Sequence, residues 1–132
     1  MKITVDTNIL LRDALRDDPR QSRVAEKILQ EAELVAIPVS VFLRICVGSP
    51  ARYKKPARDV AEAISRLMRS ASVATNRIAV EAGLRMLDAG GDFADGAIAY
   101  EGEWLGAAEF VSFDREAVSM LKAQGKRARL LV

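Results

Sequence analysis

The feature that most constrains this chain is the alternation of short apolar, β-rich runs with amphipathic helical stretches. Ile3 to Val5, Leu34 to Ile37, Glu109 to Ser112 and Ala128 to Val132 are strand-like and only a few residues long. Seven helical stretches separate or flank them. The first begins with Ile9, Leu10 and Leu11. The second starts at Asp18-Pro19, an N-cap followed by proline, carries the stripe Val24, Ile28 and Leu29, and ends near Ala32. Ser40 is positioned to cap the third, with Val41, Phe42 and Ile45 apolar, and Gly48-Ser49-Pro50 dissolves it. Pro56 opens the fourth, whose Val60, Ile64, Leu67 and Met68 fall at core-facing spacing. Asn76 caps the fifth, which carries Val80, Leu84 and Leu87 and stops at Gly90-Gly91. The sixth runs from about Phe93 to Gly106, and the seventh follows Asp114 and runs to about Gln124. Strands that alternate with helices in this way call for an α/β fold, a parallel sheet under helical cover.

At 132 residues, half of them hydrophobic, the expectation is a single domain, residues 1–132, with a real core. The formal charge of +2 says little about partners, because both signs are interspersed along the chain. Two short basic runs stand out, Arg52-Tyr53-Lys54-Lys55 with Arg58, and Lys126-Arg127-Ala128-Arg129, and both have the length of ordinary surface. The one cysteine, Cys46, leaves no intramolecular disulfide and no cysteine-rich zinc motif. Met1-Lys2 leads straight into a strand, and no apolar run reaches the length of a membrane span, so the expectation is a cytoplasmic protein with no membrane contact. Gly102-Glu103-Trp104-Leu105-Gly106 has a small-xxx-small spacing that reads as close helix packing, and no glycine pattern marks a dinucleotide or triphosphate site.

The chain contains no histidine. That removes serine–histidine and cysteine–histidine nucleophiles, histidine-ligated zinc and imidazole acid–base chemistry. Carboxylates and a hard metal ion are then the natural tools of any catalysis here. Asp6 stands at the carboxyl end of the first strand, where open α/β sheets place their ligands. Asp114 stands at the corresponding end of a later strand, and Asp95 on the first turn of a helix for which Asp92 is the N-cap. Capping explains Asp92 well, and it also offers a role for Asp6 and Asp114. It does not explain why acids recur at corresponding places. Two carboxylates about 4 Å apart repel by roughly 4 kcal/mol at an effective dielectric near 20, so gathering three calls for a cation. Mg²⁺ or Mn²⁺ fits, since a hard ion takes carboxylate oxygens and keeps several waters. Such an ion supplies a hydroxide near neutral pH and steadies charge on a phosphoryl group.

The motifs Val5-Asp6-Thr7-Asn8, Asp92-Phe93-Ala94-Asp95 and Phe110-Val111-Ser112-Phe113-Asp114-Arg115 together resemble a PIN-domain ribonuclease, and most of all the VapC-type toxin of bacterial VapBC toxin–antitoxin pairs. The similarity runs essentially from Met1 to Val132. It implies a PIN-like parallel sheet of four to five strands ringed by about seven helices, and RNA cleavage dependent on Mg²⁺ or Mn²⁺. It also implies a homodimer and a VapB-type antitoxin whose C-terminal segment covers the site. Carried over by motif, Asp6, Asp95 and Asp114 are the catalytic acids, with Asp6 and Asp95 as metal ligands. Thr7, Asn8, Asp92 and Ser112 are the polar positions beside them. Asp6 and Asp95 are expected closest to one another. A dimer is also expected from apolar surface on the third to fifth helices, at Phe42, Leu43, Met68 and Met86.

One departure is specific. The family carries a glutamate after the second strand, in a motif of the form Glu-x-x-Trp-Val-Leu-Arg, where this chain reads Arg44-Ile45-Cys46-Val47-Gly48-Ser49-Pro50. A reading of these residues as AGA-ATC-TGC-GTG-GGT-TCT-CCG, shifted by one base, gives Glu-Ser-Ala-Trp-Val-Leu-Arg. This suggests a local frameshift opened before Arg44 and closed near Ala51, and the gene's nucleotide sequence tests it. A guanidinium cannot ligate Mg²⁺, so the expectation is weak metal binding and slow cleavage. Two readings compete: a metal-dependent endoribonuclease toxin, and a catalytically inactive PIN-fold module that binds antitoxin or RNA. A phosphoacceptor receiver-like domain fits less well, because it needs paired acids after the first strand and a lysine after a late one.

Overall fold

A computed structural model describes residues 1–47 and 56–132. The element order is β1 (Lys2–Thr4), α1 (Thr7–Leu15), α2 (Pro19–Glu31), β2 (Leu34–Ala36), α3 (Val39–Val47), α4 (Ala57–Met68), β3 (Val73–Ala74), α5 (Arg77–Asp88), α6 (Phe93–Trp104), β4 (Phe110–Ser112), α7 (Arg115–Ala123) and β5 (Ala128–Leu130). The α/β class and the seven helices among the described residues agree with the sequence reading. The chain divides into two compact units, Met1–Arg77 and Ile78–Val132.

In the first unit β1, β2 and β3 form a parallel sheet in that order, with Ile3 beside Val35 and Val35 beside Val73. The strand β3 was not expected: two residues cannot show an alternating pattern, and it exists because Val35 and Ile37 donate their N–H groups to Ser72 and Ala74. Val35, Ile37, Phe42 and Ile64 are fully buried around this sheet. The helix α2 starts as expected at Asp18, whose carboxylate accepts the Gln21 N–H at 3.1 Å. Its stripe differs in part: Ile28 and Leu29 are half-buried, as the spacing implies, but Val24 is not. Val24 is 65 % exposed, and the buried positions are Ser22 and Ala25. The reason is close approach: the Ser22 hydroxyl donates to the Arg12 carbonyl at 2.6 Å, and a larger side chain would hold α2 away from α1.

The start of α3 is two residues earlier than expected. Val41 donates its N–H to the Pro38 carbonyl, so Ser40 lies inside the first turn and does not cap it. The expected helix stop at Gly48-Ser49-Pro50 and the basic run Arg52-Tyr53-Lys54-Lys55 lie outside the described residues. The apolar face expected at Phe42, Leu43, Met68 and Met86 is absent: Phe42 and Met86 are 0 % exposed, and Leu43 and Met68 are half-buried. Periodicity marked these residues as apolar but could not say that the fold covers them.

The second unit packs α5, α6 and α7 with the parallel pair β4–β5, in which Phe110 lies beside Ala128 and Ser112 beside Leu130. Met86, Ala99, Val118, Leu121 and Ala128 form its core cluster. The helices α5 and α6 approach so closely that a Cβ on Gly83 would lie 2.6 Å from the Phe93 ring. A Cβ on Gly96 would run into the Ala82 backbone carbonyl. This is where small residues allow helix contact. The Gly102–Gly106 spacing is not, which corrects the sequence reading: Gly102 would meet only Ala107, 4.0 Å away, and Gly106 meets nothing. Gly106 stops α6, with φ +106°, its N–H on the Glu103 carbonyl and the Ala107 N–H on that of Gly102.

Candidate functional site

In the first unit Asp6 sits two residues beyond β1 and caps α1, its Oδ1 accepting the Ile9 N–H at 3.2 Å. Its extended backbone, φ −93° and ψ 178°, carries the chain from strand to helix. The Asp6 carboxylate is exposed, Thr7 half-buried and Asn8 exposed. Asp6 and Asn8 line a cavity of about 490 Å³ together with Arg12, Arg20 and Gln21. Arg12 is held there by Asp17, in contacts of 2.9 and 3.0 Å. At the same carboxyl edge of the sheet, just beyond β3, the Thr75 hydroxyl is buried with no hydrogen-bond partner among the described residues. Arg44, on the last turn of α3, is exposed, and its positive charge there complements the carbonyl end of the helix.

In the second unit the local chemistry is built on two helix starts. Asp92 caps α6, accepting the Ala94 N–H at 3.1 Å. Asp114 caps α7, its Oδ1 accepting from Glu116 and Ala117 at 3.0 and 3.1 Å. Ser112 holds that corner in place: its hydroxyl oxygen accepts the Asp114 N–H at 2.9 Å. Asp95, three residues into α6, differs from both. Its side chain accepts no hydrogen bond among the described residues, and it is half-buried. Burial pushes its carboxyl above the usual carboxylate range, and the charges of Asp92 and Asp114 push in the same direction. The structure therefore brings Asp92, Asp95 and Asp114 into one electrostatic neighbourhood, and the acid without a capping bond takes the strain.

The oxygen-only donor set suits a hard divalent ion, which would relieve the repulsion on Asp95. Among the described residues, no group of three Asp, Glu or Cys side chains is gathered tightly enough to share one ion.

Sequence reasoning overlooked two polar groups. Asp13 lies on α1 three residues after the buried Leu10, and burial raises its carboxyl more than the Arg16 charge lowers it. Helical spacing from Leu10 was the available signal. Thr75 gave none, because nothing local distinguishes a buried hydroxyl from a turn residue. Among the described residues no helix is long and apolar enough to cross a membrane. Comparison with known proteins returned no matching family model and no matching curated protein.

Proposed function

We propose that this chain is a PIN-like metal-dependent endoribonuclease by descent, a toxin of the VapC type, in which Asp6 and Asp95 hold Mg²⁺ or Mn²⁺ and Asp114 completes the acidic set. The observation that supports the reading is the half-buried Asp95 on the first turn of α6, raised by burial first and by the charges of Asp92 and Asp114 second, a cost that a bound cation would relieve. The reading requires that Asp6 and Asp95 meet, and that β1 to β5 belong to one PIN-like sheet within a single domain. When bound, the ion would supply an activated water and stabilise charge on a phosphodiester. Asp92 and Ser112 would orient the acidic helix starts, while Thr7 and Asn8 would present polar groups beside Asp6. An RNA substrate, a VapB-type antitoxin, a second copy of the chain and a cytoplasmic location complete the proposal, and the dimer rests on the resemblance alone.

A second reading is a PIN-fold module that binds antitoxin or RNA without cutting. Two observations favour it. Asp6, Asp92 and Asp114 are each used as helix caps. Arg44 also stands where the resemblance expects a glutamate. Incubation of the chain with RNA, with Mg²⁺ or Mn²⁺ and with chelator, separates the two. Cleavage that requires the ion and is abolished by Asp6→Ala supports the nuclease. Slow cleavage that Arg44→Glu improves, and restoration of the Glu-Ser-Ala-Trp-Val-Leu-Arg segment improves further, supports a damaged nuclease. No cleavage by either the chain or the restored protein leaves the binding module.

A further inference from the structure

Outside the carboxylate neighbourhoods, the first unit holds a cavity of about 750 Å³ among α1, α2, α3 and α4. Small-molecule sites commonly occupy roughly 300–1,000 Å³, with apolar walls and a few polar groups that fix orientation. Leu10, Leu29, Val35, Ile64 and Leu67 contribute apolar surface here. Among the described residues that line it, the carboxylates Asp13, Glu26, Asp59 and Glu62 outnumber the arginines Arg16 and Arg66. Arg16 is committed to Glu26 at 3.0 Å and stands 3.9 Å from Asp13, while Glu62 is held by Arg69 at 3.8 Å and Arg66 at 3.9 Å. Asp13 is thus a half-buried carboxylate on the wall of an apolar cavity, and its ion pair with Arg16 is long, at 3.9 Å, and shared with Glu26.

We propose that this cavity binds a small hydrophobic amine, with its apolar body between Leu10, Leu29, Ile64 and Leu67 and its ammonium on the Asp13 carboxylate. An anionic ligand would face the excess of carboxylates among the described lining residues, and a neutral one would desolvate Asp13 further with nothing added to its long contact with Arg16. The raised proton affinity of Asp13 fits the same geometry, since burial outweighs the pull of Arg16. The inference does not depend on the nuclease reading, and its test has no cleavage readout.

The experiment is calorimetric titration of the full chain with three probes of one shape: adamantylamine, adamantanol and adamantane carboxylate. The amine is expected to bind about tenfold more tightly than the alcohol, the worth of one charge-assisted hydrogen bond, and the carboxylate most weakly. Asp13→Asn is expected to bring amine and alcohol to equal affinity without weakening the alcohol. Ala63→Trp, which fills the cavity from α4, is expected to weaken both. Should that variant not fold, methyl resonances of Leu10, Leu29, Ile64 and Leu67 in the unaltered chain supply the location, because they are expected to shift on titration. Absence of binding up to the solubility limit, equal affinity for amine and alcohol, an Asp13→Asn variant that keeps the preference, or shifts confined to other methyls would each overturn the proposal.

Discussion

The two units solve the same packing task in different ways. In Ile78–Val132 the helices touch through glycine: neither Gly83 nor Gly96 leaves room for a single added carbon. In Met1–Arg77 the helices surround about 750 Å³ of open space and ring it with charge. Helix endings differ in parallel. Gly90, Gly106 and Gly125 carry positive φ just after α5, α6 and α7, whereas the corresponding residue after α1 is Arg16, with φ 53°. An arginine in that conformation crowds its own Cβ, a strain of roughly 1 kcal/mol that glycine avoids. The contrast teaches where each unit places its cost. The second is tightly packed and carries a desolvated Asp95 with like charges beside it; the first carries strain in the backbone at Arg16 and a desolvated Asp13 with Arg16 beside it.

The comparison predicts its sharpest break at Gly96. Gly96→Ala drives a carbon into the Ala82 backbone, which cannot yield as a flexible side chain would, and should cost about 3 kcal/mol, at the upper end for overpacking. Ala63→Leu, on the cavity wall of the first unit, should cost less than about 1 kcal/mol or stabilise. Urea denaturation of both variants tests the pair, and equal losses would erase the distinction between the units.

Removal of a cap comes next. Asp114→Ala strips the acceptor from two N–H groups of α7 and should cost about 1 kcal/mol, while Asp114→Asn keeps the cap and should cost little. A similar loss in both would mean that the negative charge matters to stability more than the hydrogen bonds do.

For the first unit, Arg16→Gly should be neutral or stabilising by up to about 1 kcal/mol, because relief of the left-handed strain opposes the loss of exposed ion pairs and the greater freedom of the unfolded chain. A loss above that size, measured by thermal unfolding, would show that the Arg16 contact with Glu26 outweighs the backbone term.

The smallest effect expected is at Asp95. Its carboxyl is raised by burial first and by Asp92 and Asp114 second, so the native state holds the proton more tightly than the unfolded chain does. Ionisation then destabilises the fold: the penalty is absent at low pH and appears as pH rises through the carboxylate range. Asp95→Asn should therefore raise stability at pH 7 by less than about 1 kcal/mol, after allowance for solvent screening, and the gain should vanish below about pH 4. Added Mg²⁺ offers a sharper comparison. If the ion binds at Asp95, it should stabilise the unaltered chain more than the variant, and equal shifts would separate the crowding from metal binding.

Much of the local structure was determined by the sequence alone. Asp18-Pro19, Gly90-Gly91 and Asp114 mark helix ends because caps and left-handed turns depend on a few adjacent residues, and each lies where that chemistry places it. The acids were likewise legible, since a carboxylate after a short apolar run stands out whatever it later touches. Tertiary structure decided the rest. It chose Gly83 and Gly96, and not Gly102 and Gly106, as the helix contact, because one glycine looks like another until a second helix arrives. It buried Phe42 and Met86, exposed Val24, and gave the two-residue β3 its partners. It also separated Asp95 from the capping aspartates: the residue type is the same, but burial and two neighbouring charges are properties of the folded surroundings, which no local pattern encodes.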